Sequence, residues 1–149
     1  MTTTAAVSKI LLIDDDTDDF ELLSEAVREV DPKIEVSYIH SCEDLVRYRR
    51  HRFDIVLLDI NMPEHDGFYW LKAIRDNGYG TPVVMYSNSM SPAHISKAYR
   101  EGANLYFSKP ESFAALLTGV KKLVGLDWSD PQAVTADYTA GNLYKTFPE

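Results

Sequence analysis

Three carboxylates in a row, Asp14-Asp15-Asp16, stand directly after the apolar run Lys9–Ile13, and Asp18 and Asp19 follow at once. Asp59 closes a second apolar run, Phe53–Leu58. Ser87 closes another, Pro82–Tyr86, and Lys109-Pro110 lies just beyond Asn104–Phe107. Paired strands lie about 4.8 Å apart. If the runs ending in Asp14 and Asp59 are neighbours, their terminal carboxylates converge. Converging carboxylates repel and raise one another's pKa, and a divalent cation reconciles them most simply. Oxygen-only ligands with few protein groups suit Mg²⁺ or Mn²⁺, with waters and a phosphate completing the octahedron. A hydroxyl and a lysine at the next two strand ends supply hydrogen-bond donors for a phosphoryl group. Such a set describes a phosphoryl-transfer centre with a carboxylate nucleophile.

These residues meet only if the apolar runs share one sheet. Between the runs lie helical patterns. Phe20, Leu23, Ala26, Val27 and Val30 recur at helical spacing until Asp31-Pro32 stops them. Ile34–Ile39 alternates as a strand does, and Ser41-Cys42-Glu43-Asp44 reads as a capping box opening a short helix through Arg49. Phe68, Leu71, Ala73 and Ile74 mark a third helix that stops near Asn77-Gly78. Pro92–Glu101 is a fourth, closed by Gly102, and Ser112 to Gly125 a fifth, carrying Phe113, Leu116, Leu117, Val120 and Val124. The pattern is (βα)5. It predicts an α/β fold, a doubly wound five-stranded parallel sheet covered by helices on both faces, which suits strands rich in Ile, Leu and Val. In open sheets of this kind ligands bind beyond the carboxyl ends of the strands, where the chemistry-bearing residues stand.

Four segments, LLIDDD at 11–16, LLDINMPEHDG at 57–67, MYS at 85–87 and YFSKP at 106–110, occur in order at consecutive strand ends. Together they resemble a response-regulator receiver domain of two-component signalling, over residues 8–125. The resemblance implies the flavodoxin-like strand order 2-1-3-4-5. It implies that Asp59 accepts a phosphoryl group from a sensor histidine kinase, with Asp15 binding the cation directly, Asp14 through a water and Asn61 through its backbone carbonyl. Lys109 would pair with phosphoryl oxygens, and Ser87 would hydrogen-bond the phosphate once formed. Tyr106 resembles the aromatic residue that turns inward as Ser87 moves, coupling the site to the face formed by Pro92–Glu101, Asn104–Phe107 and Ser112–Gly125. Gly67 matches the loop glycine eight residues after the acceptor, and the resemblance implies a cis bond before Pro110. Asn88 departs from the small residue expected after the serine, where its amide could crowd the phosphoryl pocket or bond the phosphate; Tyr86 is bulkier than expected. A receiver is not an enzyme in the ordinary sense, because it catalyses only its own phosphorylation and dephosphorylation.

The chain has 149 residues, the size of one domain, with Lys+Arg 15 against Asp+Glu 23 and a formal charge of −8. An acidic surface is ill suited to neutralising phosphates, so nucleic acid is not expected as a partner. The single cysteine, Cys42, allows no intrachain disulfide. The N-terminus lacks the basic start of a signal peptide and no apolar run approaches ~18 residues, so a cytoplasmic location and no membrane association are expected. Asp18 and Asp19 are expected only to start a helix, where the macrodipole favours acids. Asp14–Glu25 also fits the acidic spacing of an EF-hand loop, but Asp19 occupies the position that needs glycine. A phosphatase of haloacid-dehalogenase type is the enzymatic rival, and the stretch after Asp16 lacks its Gly-Thr. The basic run Arg47, Arg49, Arg50, His51 and Arg52 reads as a solvated helix end or a docking patch.

After Gly125 come 24 residues (126–149), carrying Trp128, Tyr138, Tyr144 and Phe147. They are too few for a helix-turn-helix output domain and too aromatic for an inert tail. This extension is expected to pack on the receiver or to mediate dimer or partner contact, and Leu126-Asp127-Trp128 is weakly similar to the tails of single-domain regulators paired with phytochrome kinases. The expectation is a single-domain regulator that signals by contact with a downstream protein target. A homodimer would form through the helix–strand–helix face or the extension. A phosphorelay intermediate serving a histidine phosphotransfer protein is the alternative.

Overall fold

A computed structural model describes residues 6–40, 52–62, 65–77 and 80–148. Five strands, β1 (Lys9–Ile13), β2 (Glu35–Ile39), β3 (Ile55–Leu58), β4 (Val83–Ser87) and β5 (Leu105–Ser108), form one parallel sheet in the order β2-β1-β3-β4-β5. The expected order is therefore present. β1 is central, and its register sets Ile13 level with both Ile39 of β2 and Leu58 of β3. All four residues of β3 and all five of β4 are buried, as strands covered on both faces must be.

The helices are α1 (Thr17–Val30), α2 (Gly67–Asp76), α3 (Pro92–Arg100), α4 (Phe113–Val124) and α5 (Pro131–Thr139). Each begins at a side-chain cap: Asp16, Asp66, Ser91, Ser112 and Asp130 each accept a hydrogen bond from a first-turn backbone N–H. α1 buries Leu23, Ala26 and Val27, one stripe at helical spacing. It packs with α4 on one face of the sheet, in a core with Leu12, Leu57, Val84 and Phe107. α2 and α3 cover the other face through Phe68, Leu71, Ile95 and Ala98, against Leu11, Leu58 and Met85. The helix expected from Ser41 to Arg49, and most of the basic run beside it, lie outside the described residues. Among the described residues no helix is long and apolar enough to cross a membrane.

The segment after Gly125 folds back onto this core. Trp128 is buried and its Nε1–H donates to Leu123 O at 2.9 Å. α5 is announced by Asp130-Pro131, a cap followed by proline at the first helical position; only Val134 of it is buried, so apolar spacing does not reveal it. Gly141 and Asn142 take left-handed backbone (φ 66° and 60°), which returns the chain to β5. There Phe147 N–H donates to Tyr106 O at 2.7 Å, Phe147 bridges Phe107 in parallel, and their rings meet edge-on. The one cis peptide bond among the described residues is Phe147–Pro148, so the bond before Pro110 is trans, contrary to expectation.

Phe147 fills the edge of the core and is 2% exposed. Truncating a buried phenylalanine costs about 3 kcal/mol or more. At roughly 2–4 °C per kcal/mol for a chain of this size, Phe147→Ala should lower Tm by about 6–12 °C. Ending the chain at Gly125 should lower it as well; an unchanged Tm in calorimetry would show that the segment does not pack.

Candidate functional site

The backbone carries the sheet ladder one step past the strand ends, and this places the site. Asp14 N–H donates to Ile39 O (3.2 Å), Asp59 N–H to Ile13 O (2.9 Å) and Lys109 N–H to Ser87 O (2.8 Å). Asp14 and Asp59 are thus the residues immediately beyond two adjacent strands, level with one another. Gly67 seals the loop above them. Its N–H donates to Ile60 O at 2.8 Å, and a Cβ there would collide with Asp59 O, so only glycine fits this approach.

The carboxylates converge as expected. Asp14, Asp15 and Asp59 each present an oxygen, all within 4.8 Å of one another. Asp14 is fully buried and Asp59 nearly so, while Asp15 is exposed. Asp14 Oδ1 accepts from Asp16 N–H at 2.9 Å and its Oδ2 from Lys109 Nζ at 3.0 Å. Lys109 also reaches Asp59 Oδ1 at 3.5 Å, and its ammonium lies over the Tyr86 ring at 5.3 Å. Tyr86 packs into the core against Phe107, which accounts for its bulk. Asn61 is exposed, and its backbone N–H hydrogen-bonds Asp59. Asn88 is also exposed.

Asp19 was missed. Its Oδ2 lies 2.6 Å from Lys109 Nζ, closer than either Asp14 or Asp59, so it does more than start α1. Asp16 is the cap of α1, accepting from Asp18 N–H at 2.9 Å, and Asp18 is an exposed first-turn acid. Helical periodicity gave the one available signal for Asp19: it lies three residues after the cap, and side chains on a helix lean toward the turn N-terminal to their own Cα. For α1 that direction leads to the end of β1.

Burial and charge govern protonation here. Burial pushes the Asp14 carboxyl up to about 7, with the Asp59 charge adding to it and Lys109 and the Asp16 N–H opposing. Burial likewise raises Asp59, with Asp15 adding and Lys109 and the Asn61 N–H opposing. Burial works against charge on Lys109, but Asp19, Asp59 and Asp14 outweigh it and hold its pKa above the ordinary lysine value.

Ser87 and Tyr106 form a second layer. Ser87 is fully buried at the end of β4, and its Oγ accepts from Ser89 N–H at 3.1 Å. Tyr106 is also fully buried, and its hydroxyl donates to Ser89 O at 2.7 Å. Its ring already lies inside, where the resemblance had it turning inward. Ser89 Oγ and His94 Nδ1 lie 2.7 Å apart, tying this loop to α3.

An all-oxygen set of three carboxylates at this spacing fits a hard divalent cation, held directly or through a water. The arrangement can therefore bind a cation, present a buried carboxylate oxygen of Asp59 and hold negative charge with Lys109.

The sequence profile of the family described as the response regulator receiver domain matches residues 10–121. The probable transcriptional regulatory protein SilR of Salmonella typhimurium is 31% identical over 119 residues, covering 78% of this chain and 50% of that one. The chain spans half or less of the length of the first curated relatives it matches. Among solved structures, the phosphorylated cyanobacterial phytochrome response regulator RcpA is similar with TM-score 0.73 and 28% identity, over 83% of this chain and 96% of that one. The chemotaxis response regulator CheY4 of Vibrio cholerae is similar with TM-score 0.66 and 27% identity, over 78% and 98%. With its strand order, its acidic strand ends and a family match over most of its length, this chain belongs to the response-regulator receiver family.

Proposed function

We propose that this receiver accepts a phosphoryl group on Asp59 from a sensor histidine kinase and signals through phosphorylation-dependent contact with a downstream protein. The observation that carries the reading is Asp59 itself, buried at the end of β3 beside two further carboxylates and within 3.5 Å of an ammonium. A carboxylate oxygen of Asp59 attacks the phosphorus of a phosphohistidine in line. The P–N bond breaks and its electron pair returns to the imidazole nitrogen, which takes up a proton. Lys109 favours the charged form of Asp59 against the pull of burial and then pairs with phosphoryl oxygens. Asp14, Asp15, Asp59 and the Asn61 carbonyl would hold Mg²⁺ or Mn²⁺, which when bound neutralises carboxylate and phosphoryl charge.

Residues 8–125 form the receiver in this reading and 126–149 an extension, whose described residues pack on it, in the cytoplasm and without a nucleic-acid partner. Similarity to a phytochrome response regulator makes a phytochrome-type kinase the first phosphodonor to try. A new phosphate adds about −1.5 to −2 charges and three acceptor oxygens. Ser87 moves to that group, and Tyr106, already inside and bonded through its hydroxyl to Ser89 O, carries the change to the α3–β5–α4 face.

Incubating the full chain with Mg²⁺ and a small phosphodonor should add one phosphoryl group by mass spectrometry, and Asp59→Asn should add none. Failure of the unaltered chain to phosphorylate sinks the reading. Ser87→Ala should still phosphorylate but should reduce the NMR shifts at Tyr106 that accompany it; undiminished shifts would remove Ser87 from the switch.

The site also links stability to pH. The folded-state pKa of Asp14 is raised from 3.8 to about 7, so between these values the folded state holds a proton that the unfolded state has lost. Stability therefore falls as pH rises across that window, and the loss is complete above it, by a few kcal/mol. In EDTA, urea denaturation should show Asp14→Asn gaining on the unaltered chain from pH 4 to pH 8. Mg²⁺ at pH 8 should recover most of the difference for the unaltered chain only. Parallel pH profiles would mean that Asp14 stays ionised throughout.

A further inference from the structure

Lys109 has three ammonium donors and three carboxylate partners, and its closest partner is not at a strand end. Nζ lies 2.6 Å from Asp19, 3.0 Å from Asp14 and 3.5 Å from Asp59. Two of its N–H groups are committed to short hydrogen bonds with Asp14 and Asp19, and the contact to Asp59 is the longest of the three. Drawing the ammonium in to a phosphoryl group on Asp59 lengthens one of the two short contacts. Asp14 and Asp59 sit in the protein, with side chains 0% and 5% exposed, whereas the side chain of Asp19 is 23% exposed. Water can resolvate Asp19 when the lysine leaves, and it can do so far less for the other two. Lys109 is also supported by the Tyr86 ring, so it keeps a seat in the site without Asp19.

Resting on the phosphorylation reading above, we propose that Asp19 is a positioning residue for that reaction: it draws Lys109 toward α1 and away from Asp59, and so restrains formation of the phosphorylated state. Two effects act in the same direction. Asp19 competes with the phosphoryl group for the ammonium, and its carboxylate repels the charge that phosphorylation adds. A helix start alone does not call for this acid at this place, since Asp18 already supplies an exposed first-turn carboxylate with no such contact.

The test uses the full chain at saturating Mg²⁺, with Asp19→Asn, Asp19→Ser and Asp19→Glu, and with Asp18→Asn as the control. Two quantities are read: the rate of phosphorylation by a small phosphodonor and the Kd for beryllofluoride, a phosphoryl mimic. Asp19→Asn and Asp19→Ser should phosphorylate about three- to tenfold faster and bind beryllofluoride tighter by a similar factor. Asp19→Glu should return both quantities toward the unaltered chain, and Asp18→Asn should leave them within about twofold. The gain should shrink with added salt. If both charge-removing variants are unchanged or slower, Asp19 does not restrain Lys109 and the proposal fails. If the unaltered chain does not phosphorylate and binds no beryllofluoride, it is the underlying function that fails.

Discussion

Lys109 meets three carboxylates within 3.5 Å while a fourth, Asp15, lies beside them. Most of these groups are withdrawn from water, where their charge is costly to hold. Burial alone would favour neutral carboxyls, and the raised Asp14 and Asp59 show that tendency. The ammonium opposes it from one position. Removing one partner of a buried ion pair costs about 3–5 kcal/mol, because the remaining charge loses compensation without regaining water. The lysine therefore supports the site electrically. One ammonium still leaves the four acids undercompensated, a demand that a divalent cation would meet.

That crowding is imposed by the sheet. Like charges would separate if the backbone allowed it, but Asp14 and Asp59 are held level by hydrogen bonds to Ile39 O and Ile13 O. Those bonds continue ladders whose remaining residues are apolar and buried. A one-residue slip of β1 or β3 would turn every core side chain to the opposite face. The apolar core thus enforces an electrostatic arrangement that the site could not maintain by itself. Gly67 adds a second constraint, since any side chain there would collide with the carbonyl of Asp59.

Much of this was legible in the sequence because it depends on local rules. Apolar runs that end in acids mark strand ends, and Ser112 marks where α4 begins. What was not legible required knowledge of distance. Asp19 and Lys109 are far apart in the chain, and nothing in the composition of α1 distinguishes Asp19 from Asp18. α5 escaped for a different reason: a helix that buries only Val134 carries no apolar stripe to read. The trans bond before Pro110 runs against the expectation drawn from resemblance. Tyr106 is legible only through the resemblance carried by YFSKP at 106–110, and its burial depends on α3 and on packing that no local pattern encodes.

The C-terminal segment gives that tyrosine its surroundings. Tyr106 N–H donates to the Tyr99 hydroxyl at 3.2 Å, and the same hydroxyl donates to Lys145 O at 2.6 Å. Tyr99 stacks on Tyr144, and Phe147 takes the Tyr106 carbonyl. Both backbone groups of Tyr106 are thus committed to contacts involving α3 or the extension, while its hydroxyl is committed to the loop that carries Ser87. β5 is the last strand of the sheet, and an exposed edge would leave such groups open to any passing strand. Here the edge is covered by the chain's own end. Tyr106 is thereby enclosed along this edge by Tyr99 and residues 144–147. Residues 144–147 are consequently part of the packing that fixes Tyr106, and the hydrogen bonds that dock this segment are among those that hold the residue in place.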